Sequence, residues 1–527
     1  LPAISAGDTF RLGGMTFVGS GTPAGTDGLV IDGASDASIR DLTLTGFPGA
    51  GIRITNSSKG GTFLNLTISG AGADGIYLDN NCNFNSFDNI EILQVGGRGI
   101  NVSDNSKNNQ FKNVQIDTTG STGVRLSNGA SENFFEDFAI TNISGTGILL
   151  ENNATRNRFA KQCDVSACSD YGIHLTGSGT LYNAFYNDRS TVFVDAGMVS
   201  VSPAVRDCQK LGLLIDDGAS SNHVVAKFIS NNLEGGVKIT GSGTFDNTIG
   251  HPYRVPPSSA AFPRQELFFT IITDNSGPGI VLETGTSQTL ITGVSVHGNQ
   301  GDGIVLQDTS FNSILSVRSG IQDFIDDQDA IADPNTGAGI RLTGNCTNNQ
   351  IGTFLEVTKF NFGRSPTEDF TNIIANDLGG GIILDGECDF NQIDGTFIGG
   401  TTASQQRVMG NGLTLINGAS SNRIGNLEFN SEFSILSCEE DGILIDGAAS
   451  NNNTLLGISM GESFATTPET QVMNGIHLRN GTHSNLIGGP GPMIGGGSRF
   501  SGPLNETIRM RNILGTGVWF EACGGRV

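Results

Sequence analysis

Short runs of alternating apolar and polar residues recur at a nearly constant interval along the chain. Each run starts with a glycine followed by apolar-x-apolar, as in GIYL from Gly75. The first spacings between these anchor glycines are 23, 24, 24, 24, 24 and 25 residues, and two later spacings return to 24. Alternation with period two predicts a β-strand with one buried face, and a fixed longer period predicts a solenoid of stacked repeats. The seventeen anchors are Gly28, Gly51, Gly75, Gly99, Gly123, Gly147, Gly172, Gly212, Gly236, Gly279, Gly303, Gly339, Gly381, Gly412, Gly442, Gly475 and Gly517.

A second position in the same register holds Asn-x-apolar, about ten residues after thirteen of the anchors. Asparagine tolerates a left-handed backbone, and its amide can bond the same amide one turn away. The repeat alone therefore predicts a structural asparagine ladder, with sugar binding as the alternative. The thirteen asparagines are Asn85, Asn109, Asn133, Asn157, Asn183, Asn222, Asn247, Asn312, Asn349, Asn391, Asn422, Asn453 and Asn485.

A third position, seven residues after each anchor, holds only small residues, which indicates a tight corner packed inward. Cys82, Cys346 and Cys388 occupy it, and we expect them to be buried like small apolar residues, with Cys346 and Cys388 stacked on neighbouring coils. Cys163 and Cys168 lie close in sequence and are the expected local pair. The full set is Ser35, Ser58, Cys82, Ser106, Ala130, Ala154, Gly179, Ala219, Gly243, Thr286, Ser310, Cys346, Cys388, Ala419, Ala449 and Thr482.

The three registers together predict that the chain coils into a parallel β-helix. A 24-residue unit cannot bury its apolar face alone, whereas stacking it on its neighbours gives a continuous core. No helical period of useful length separates the strands, which disfavours α/β folds. We expect one β-helix over 1–527, with a leading segment 1–27, regular coils over 28–184 and coils with inserted loops over 185–527.

Several segments carry a resemblance to a known family. The opening LPAIS, the run GLVIDGASDASIRDLTLTGFPGAGIRI, and NLIGGPGPMIGG at 485–496 resemble bacterial extracellular right-handed parallel β-helix repeat proteins of the pectin-lyase-like superfamily. NTIG at 247–250 and NRIG at 422–425 are weaker copies. The resemblance implies an all-β, right-handed parallel β-helix solenoid of about 17 coils, and it does not specify an activity. The DPHE-like strand of alginate epimerases and the NTD, DD and GHG set of polygalacturonases are absent from the sequence.

The net charge of the chain limits the classes of partner that it can bind. The chain has 29 basic and 52 acidic residues, a net charge of −23 and a pI near 4.5. Such a field repels nucleic acid, and no apolar run is long enough for membrane insertion. Because the chain begins at Leu1, we interpret it as a mature or trimmed piece, and we expect a secreted or cell-surface protein.

The outward residue of each Gly-apolar-x-apolar run provides the candidate binding site. In the first coils this row is polar, basic and aromatic, which suits an acidic glycan, because rings stack on sugars and arginine pairs with carboxylates. An ordinary solvated face is the alternative. The proposed glycan-binding residues are Arg53, Tyr77, Asn101, Arg125 and His174.

An acidic insert provides a candidate calcium site, since Ca²⁺ prefers six to eight oxygen ligands. Its spacing does not match an EF-hand loop, and a solvated acidic loop is the alternative. No other cofactor is indicated. The candidate ligands are Asp323, Asp326, Asp327 and Asp329.

Three functions fit these observations. The first is a structural or adhesive surface protein that binds glycan. The second is a polysaccharide lyase or glycoside hydrolase acting along the groove, for which Glu432, Glu439, Glu440 and Asp441 are candidate carboxylates. The third is a tailspike-like trimer. The expected partners are accordingly polysaccharide or neighbouring copies of the chain, as a homo-oligomer.

Overall fold

The computed structural model describes residues 11–186, 203–250, 270–322, 331–352, 372–399, 407–425, 433–461, 472–488, 508–510 and 515–521. The chain divides into two compact units, Leu1–Thr248 and Ile249–Val527. All regular structure in the described ranges is β-strand. Within them, no helix is long and apolar enough to cross a membrane. The single β-helix expected over 1–527 stays a prediction.

The first unit consists of two parallel sheets, because every turn of the chain contributes strands to both. Sheet A contains the strands that follow the anchor glycines: Leu29–Asp32, Ile52–Thr55, Ile76–Leu78, Ile100–Val102, Val124–Leu126, Ile148–Leu150, Ile173–Thr176, Leu211–Asp216 and Gly235–Thr240. Sheet B contains Arg11–Val18, Ser38–Thr45, Thr62–Ser69, Ser86–Val95, Gln110–Thr119, Phe134–Ile143, Arg158–Cys168, Ala184–Phe185, Ala204–Arg206, His223–Val224 and Phe228–Ser230. Strand Thr248–Ile249 contains the boundary between the units.

The second unit repeats this arrangement. Its sheet A contains Ile280–Glu283, Ile304–Gln307, Ile340–Thr343, Ile382–Asp385, Leu413–Ile416, Cys438–Asp446, Val472–Arg479 and Val518–Glu521. Its sheet B contains Thr270–Thr273, Leu290–His297, Ser313–Ser319, Gln350–Ile351, Asn372–Ile374, Gln392–Ile393, Thr396–Ile398, Arg423–Ile424, Phe433–Ile435, Thr454–Leu455, Ile458–Met460, Leu486–Ile487 and Ile508–Met510. Ile321–Gln322 and Ile331–Ala332 form a separate antiparallel pair.

The anchor glycines lie next to one another along one parallel sheet, as the repeat predicts. Ile76 pairs with Ile100 and Ile100 with Val124, so Gly75, Gly99 and Gly123 precede adjacent strands. A Cβ on Gly75 would lie 2.6 Å from the carbonyl oxygen of Gly99 and 2.6 Å from a side-chain carbon of Ile92. The anchor must be glycine because the next coil and sheet B leave no room for a side chain.

A column of phenylalanine rings fills the core of the first unit behind sheet B. Neighbouring rings stack with centroids 4.5 to 4.8 Å apart, which is close to the spacing of adjacent strands. Each ring is fully buried. Identical residues at each turn therefore give the core its continuity along the axis. The column contains Phe63, Phe87, Phe111, Phe135, Phe159 and Phe185.

The asparagine ladder is present in both units. The Asn85 backbone N–H and side-chain amide both donate to Asn109 Oδ1 at 3.0 Å, and Asn109 donates to Asn133 in the same way. The same pair of bonds repeats from Asn312 to Asn485 in the second unit. Twelve of the thirteen asparagines are buried, so the amides satisfy the backbone of a corner that excludes water.

The ladder asparagines themselves do not have a left-handed backbone. The positive φ belongs to the residue before it, for example Phe84 at 59° and Glu132 at 57°. Phe84 is 62% exposed, because the strained residue turns its side chain out while the following asparagine turns in. The corner therefore accepts many residue types at the strained position and asparagine at the buried one.

The small residues of the third register are buried in most coils. In five coils the buried small residue is the neighbouring one, as with Thr180 beside Gly179 and Thr244 beside Gly243. The buried residue of the corner therefore shifts by one position between coils, and it stays small. The five shifted positions are Ser35, Gly179, Gly243, Ser310 and Ala449.

All seven described cysteines are buried and free. Cys346 and Cys388 are fully buried on adjacent coils, as predicted, and the hydrogen bond between their thiols together with burial raises the pKa of Cys388. The expected pairing of Cys163 with Cys168 is wrong, because both lie on the strand Arg158–Cys168. Cys168 instead forms a hydrogen bond with the thiol of Cys208. The strand register places Cys208 beside it on the next coil.

A second, shorter ladder in the second unit ends in an acid. Asn275 and Asn299 each donate their side-chain amide to the next asparagine at 2.9 Å, and Asn335 donates to Asp377 Oδ1 at 2.8 Å. Asp377 is fully buried, and within the described residues its Oδ2 has no hydrogen-bond partner. Burial raises the pKa of Asp377 to about 7, outweighing the hydrogen bonds with Asn335 and Ser319, which lower it.

Candidate functional site

The outward row chosen from the sequence lies in register on sheet A of the first unit. Arg53 pairs with Tyr77, Tyr77 with Asn101, and Asn101 with Arg125. Leu149 follows on the next strand and separates Arg125 from His174. Four of the five candidates therefore occupy consecutive strands, and His174 lies two strands beyond Arg125.

Each basic group of this row is held by a carboxylate two residues further along the adjacent strand. Arg53 Nη2 lies 2.9 Å from Asp79 Oδ2, and Arg125 Nε lies 2.6 Å from Glu151 Oε1. His174 Nε2 lies 3.0 Å from Asp216 Oδ1. These partners are at most about one-fifth exposed, so the pairs are only partly screened by solvent. The row therefore presents fixed polar groups with little net positive charge.

The side chain of Asn101 is oriented by Asp74, which lies one coil earlier in the chain. Its amide nitrogen donates to Asp74 Oδ2 at 2.9 Å, and Asp74 Oδ1 accepts the backbone N–H of Arg98 at 2.9 Å. Asn101 is 4% exposed, and its Oδ1 has no hydrogen-bond partner within the described ranges. That oxygen is an acceptor that the described residues leave unsatisfied.

Tyr77 contributes a ring and a neutral hydroxyl. The Arg53 guanidinium carbon lies 5.6 Å from the centre of the Tyr77 ring, within the range of a cation–π contact. Burial raises the pKa of the Tyr77 phenol, more than its hydrogen bond with Ser103 lowers it. The phenol therefore stays protonated at neutral pH and can donate a hydrogen bond.

An open groove of about 570 Å³ lies beside Arg53. Four of its nine lining residues are aspartates, so the surroundings of Arg53 are acidic. The lining includes Asp27, Asp32, Arg53, Asp79 and Asp104, with Asn56 and Asn80 between them.

Comparison with known proteins agrees with this architecture. Residues 27–190 match a family model described as a right handed beta helix region. The fold is that of a right-handed parallel β-helix. Its sequence matches none of the curated proteins.

Three solved structures illustrate how far the likeness extends. The A-module of the mannuronan C-5 epimerase AlgE4 from Azotobacter vinelandii is 12% identical, with a TM-score of 0.34, 84% of this β-helix covered and 89% of that chain. The periplasmic alginate epimerase AlgG is 11% identical, with a TM-score of 0.29 and coverages of 90% and 78%. The catalytic domain of a GH87 α-1,3-glucanase in complex with nigerose is 12% identical, with a TM-score of 0.31; 80% of this β-helix aligns, over 63% of that chain.

Sequence reasoning missed a second groove of the β-helix, on sheet B of the first unit. It has a volume of about 510 Å³, and seven of its thirteen lining residues are amides or acids. Its rim residues have a left-handed backbone, with φ of 56° at both Asn65 and Asn89 and 50° at Asn113. The available signal was a fourth register, an Asn or Asp fourteen residues after the anchor glycine, at Asn65, Asn89, Asn113 and Asp137.

The calcium candidates Asp323, Asp326, Asp327 and Asp329 lie outside the described residues of the β-helix. Nearby Asp333 is described, and its Oδ2 lies 2.6 Å from His297 Nδ1. Across the described ranges, no three His, Cys, Asp or Glu side chains are grouped as metal ligands would be. The calcium site stays a prediction.

Proposed function

We propose that the protein is an adhesive or structural component of a cell surface or secreted layer that binds polysaccharide along sheet A of the first unit. The observation that carries the proposal is the in-register row of Arg53, Tyr77, Asn101 and Arg125. The row continues to His174, five strand spacings from Arg53, or about 24 Å. A repeating surface of this length matches a repeating polymer of several sugar units.

The charge distribution favours a neutral glycan over the acidic one expected from sequence. Arg53 and Arg125 are paired with Asp79 and Glu151, so neither is available at full charge to a uronate. A uronate chain would also meet the carboxylates of the groove and a molecule of net charge −23. A neutral sugar offers hydroxyls that donate to carboxylates and accept from guanidinium and phenol groups.

The test measures binding of neutral and acidic polysaccharides on a glycan array and then by calorimetry. We expect neutral glycans to bind, with affinity that changes little with salt, because no net charge is neutralised. The Arg53→Ala, Arg125→Ala double variant should weaken binding about tenfold, the scale of one or two lost hydrogen bonds. Arg40→Ala, which changes an exposed arginine of sheet B, is the matched control.

Removing an arginine leaves its carboxylate unpaired, so a further variant separates binding from folding. Arg53→Gln combined with Asp79→Asn removes both charges and keeps the size of both side chains. Weakened binding with unchanged thermal unfolding would support the row as the site. Exclusive binding of acidic glycans with a steep salt dependence, or full affinity in the double variant, would refute the proposal. Release of new sugar ends would indicate an enzyme instead.

A further inference from the structure

Four of the buried cysteines form two pairs, one pair in each unit of the chain. Cys168 and Cys208 lie 40 residues apart in the first unit. Cys346 and Cys388 lie 42 residues apart in the second. In both pairs the two members belong to adjacent coils, and each cysteine is at most 1% exposed. The same arrangement therefore occurs twice, in places that the row on sheet A does not include.

The strand register places the members of each pair side by side. The backbone N–H of Gln209 donates to the carbonyl of Cys168 at 2.8 Å. The backbone N–H of Asp389 donates to the carbonyl of Cys346 at 3.1 Å in the same way. In parallel strands, a bond from the residue after one cysteine to the carbonyl of the other aligns the two cysteines. Aligned Cα atoms are about 4.8 Å apart, within the range of roughly 4.4–6.8 Å that a disulfide bond requires.

The sulfur atoms of the first pair occupy equivalent places on successive coils. A Cβ on Gly147 would lie 3.0 Å from the sulfur of Cys168. A Cβ on Gly172 would lie 3.2 Å from the sulfur of Cys208. Each sulfur is therefore packed against the anchor glycine of its own coil, so the two side chains point in the same direction and stack along the axis.

The second pair is equivalent in the same sense. The thiol of Cys346 donates to the carbonyl three residues earlier at 3.2 Å, and the thiol of Cys388 makes the corresponding contact at 3.8 Å. As in the first pair, the two thiols are also hydrogen bonded to each other. Both pairs thus bring two sulfur atoms together inside the coil stack.

Within each pair, this hydrogen bond makes one thiol easier to ionise. The bond with Cys168 lowers the pKa of Cys208. The bond with Cys388 lowers the pKa of Cys346. The thiolate is the attacking species in thiol–disulfide exchange, so each pair contains one sulfur suited to attack and one beside it to complete the bond.

We propose that Cys168 with Cys208, and Cys346 with Cys388, are the sites of two interior disulfide bonds that link successive coils. The oxidant is a small disulfide such as glutathione disulfide. The thiolate of Cys208 attacks it, which forms a mixed disulfide and releases one glutathione. Cys168 then attacks the sulfur of Cys208, and the second glutathione leaves. Two protein thiols are oxidised to one disulfide, one glutathione disulfide is reduced to two thiols, and these take up the two protons.

Burial determines when this exchange takes place. The folded corner excludes a tripeptide, because the four sulfur-bearing residues are closed to solvent. We therefore expect the bonds to form during folding, before the coils close, with Cys346 as the attacking sulfur of the second pair. Such bonds persist in an oxidising compartment, and they do not depend on whether the row on sheet A binds polysaccharide.

The other described cysteines provide internal controls, because different residues flank them on the adjacent coils. Cys82 lies between Ser58 and Ser106 in the register of small residues. Cys438 lies between two valines of the adjacent coils, and Cys163 pairs with a phenylalanine of the preceding coil. Burial raises the pKa of Cys82 and of Cys438 to about 12, with no thiol partner to lower it. These three cysteines should stay reduced under conditions that oxidise the pairs.

The experiment refolds the full chain with reduced and oxidised glutathione, and in parallel with dithiothreitol. Both samples are checked by circular dichroism, unfolded and alkylated with N-ethylmaleimide, and their peptides are mapped by mass spectrometry without reduction. We expect Cys82 and Cys438 to be alkylated in both samples and the four paired cysteines only after dithiothreitol. The oxidised chain should also have a Tm about 5 °C or more above that of the reduced chain, because each bond closes a long loop.

Variants assign the first bond to Cys168. Cys163 and Cys168 lie on the same strand and on the same tryptic peptide, so Cys163→Ser is the matched control. Cys163→Ser should keep the crosslink to Cys208, whereas Cys168→Ser should leave Cys208 alkylated. The bond between Cys346 and Cys388 should still form in Cys168→Ser, which shows that the variant chain has folded.

The decisive measurement uses the wild-type chain. Alkylation of all four paired cysteines in glutathione-refolded protein with the native circular dichroism would refute the proposal, and alkylation of one pair alone would refute it for that pair. A crosslink from Cys163 to Cys208, or between two chains, would refute the assigned pairing. A chain that reaches its native circular dichroism only in dithiothreitol would show that the bonds are incompatible with the fold.

Discussion

The buried acid at the end of the short ladder makes the stability of the second unit depend on pH. In Asn335 the side-chain nitrogen donates to the carbonyl of Val296 at 3.0 Å, whereas the corresponding atom of Asp377, Oδ2, has no partner among the described residues. A protonated Asp377 or an asparagine would supply a donor there. We therefore expect Asp377→Asn to stabilise the protein at neutral and alkaline pH.

The magnitude follows from the pKa of Asp377. A rise from 3.8 to about 7 is worth roughly 4 kcal/mol between the two protonation states. Because the folded pKa is the higher one, the contribution is fully present below about pH 4. It is lost as the pH rises through about 7, where the folded protein gives up its proton too. Of this loss, about 2.5 kcal/mol falls between pH 5 and pH 8.

The assay is denaturant unfolding followed by Trp519 fluorescence, which reports on the second unit. Wild type should lose about 2.5 kcal/mol more than Asp377→Asn between pH 5 and pH 8. Asp385→Asn is the control, because it removes a carboxylate of the same unit that is accessible to solvent. Equal pH dependence of wild type and Asp377→Asn would refute the reasoning, because it would mean that the buried carboxyl does not take up a proton on folding.

Three further outcomes are expected. Asn133→Ala should lower the free energy of unfolding by about 1–3 kcal/mol, since it removes the acceptor of two Asn109 hydrogen bonds; unchanged stability would contradict a structural ladder. Phe111→Ala, which interrupts the ring column, should cost about 3–5 kcal/mol in the same measurement, and a cost below about 1 kcal/mol would mean that the column is not tightly packed. Burial raises the pKa of Cys82 to about 12, so Cys82 of the native protein should react with a thiol reagent only as fast as the protein unfolds; rapid labelling of Cys82 at pH 8 would show an open corner.

Much of the fold could be predicted because each coil repeats the same solution to the same packing problem. Gly75, Asn109 and Cys388 occupy registers where a neighbouring coil allows one kind of side chain, so the constraint is written into every repeat. The left-handed residue before each asparagine could not be assigned this way. Its side chain faces solvent, and residues as different as Phe84 and Glu132 fill the position.

The candidate residues lie in register on one sheet, as the repeat predicts, but their charge differs from the expectation. Arg53 and Asp79 are 26 residues apart, one regular coil plus two residues, so the pairing depends on where the side chains of adjacent coils point. The sequence predicts a basic strip of arginines. In the structure, carboxylates of the adjacent coils neutralise Arg53 and Arg125. The contact of His477 with Asp441 spans 36 residues and was missed because the coil between them is lengthened.

The asparagine ladder also shows that the number of residues in a coil does not change the distance between adjacent coils at the ladder. Asn109 donates its backbone N–H to Asn133 across 24 residues at 3.0 Å, and Asn349 donates to Asn391 across 42 residues at 2.9 Å. A coil can therefore gain many residues without disturbing the rungs above and below it. For protein engineering, the longer coils mark places where a foreign peptide can be grafted, and the unchanged rung distance gives a direct check that the scaffold has accepted it.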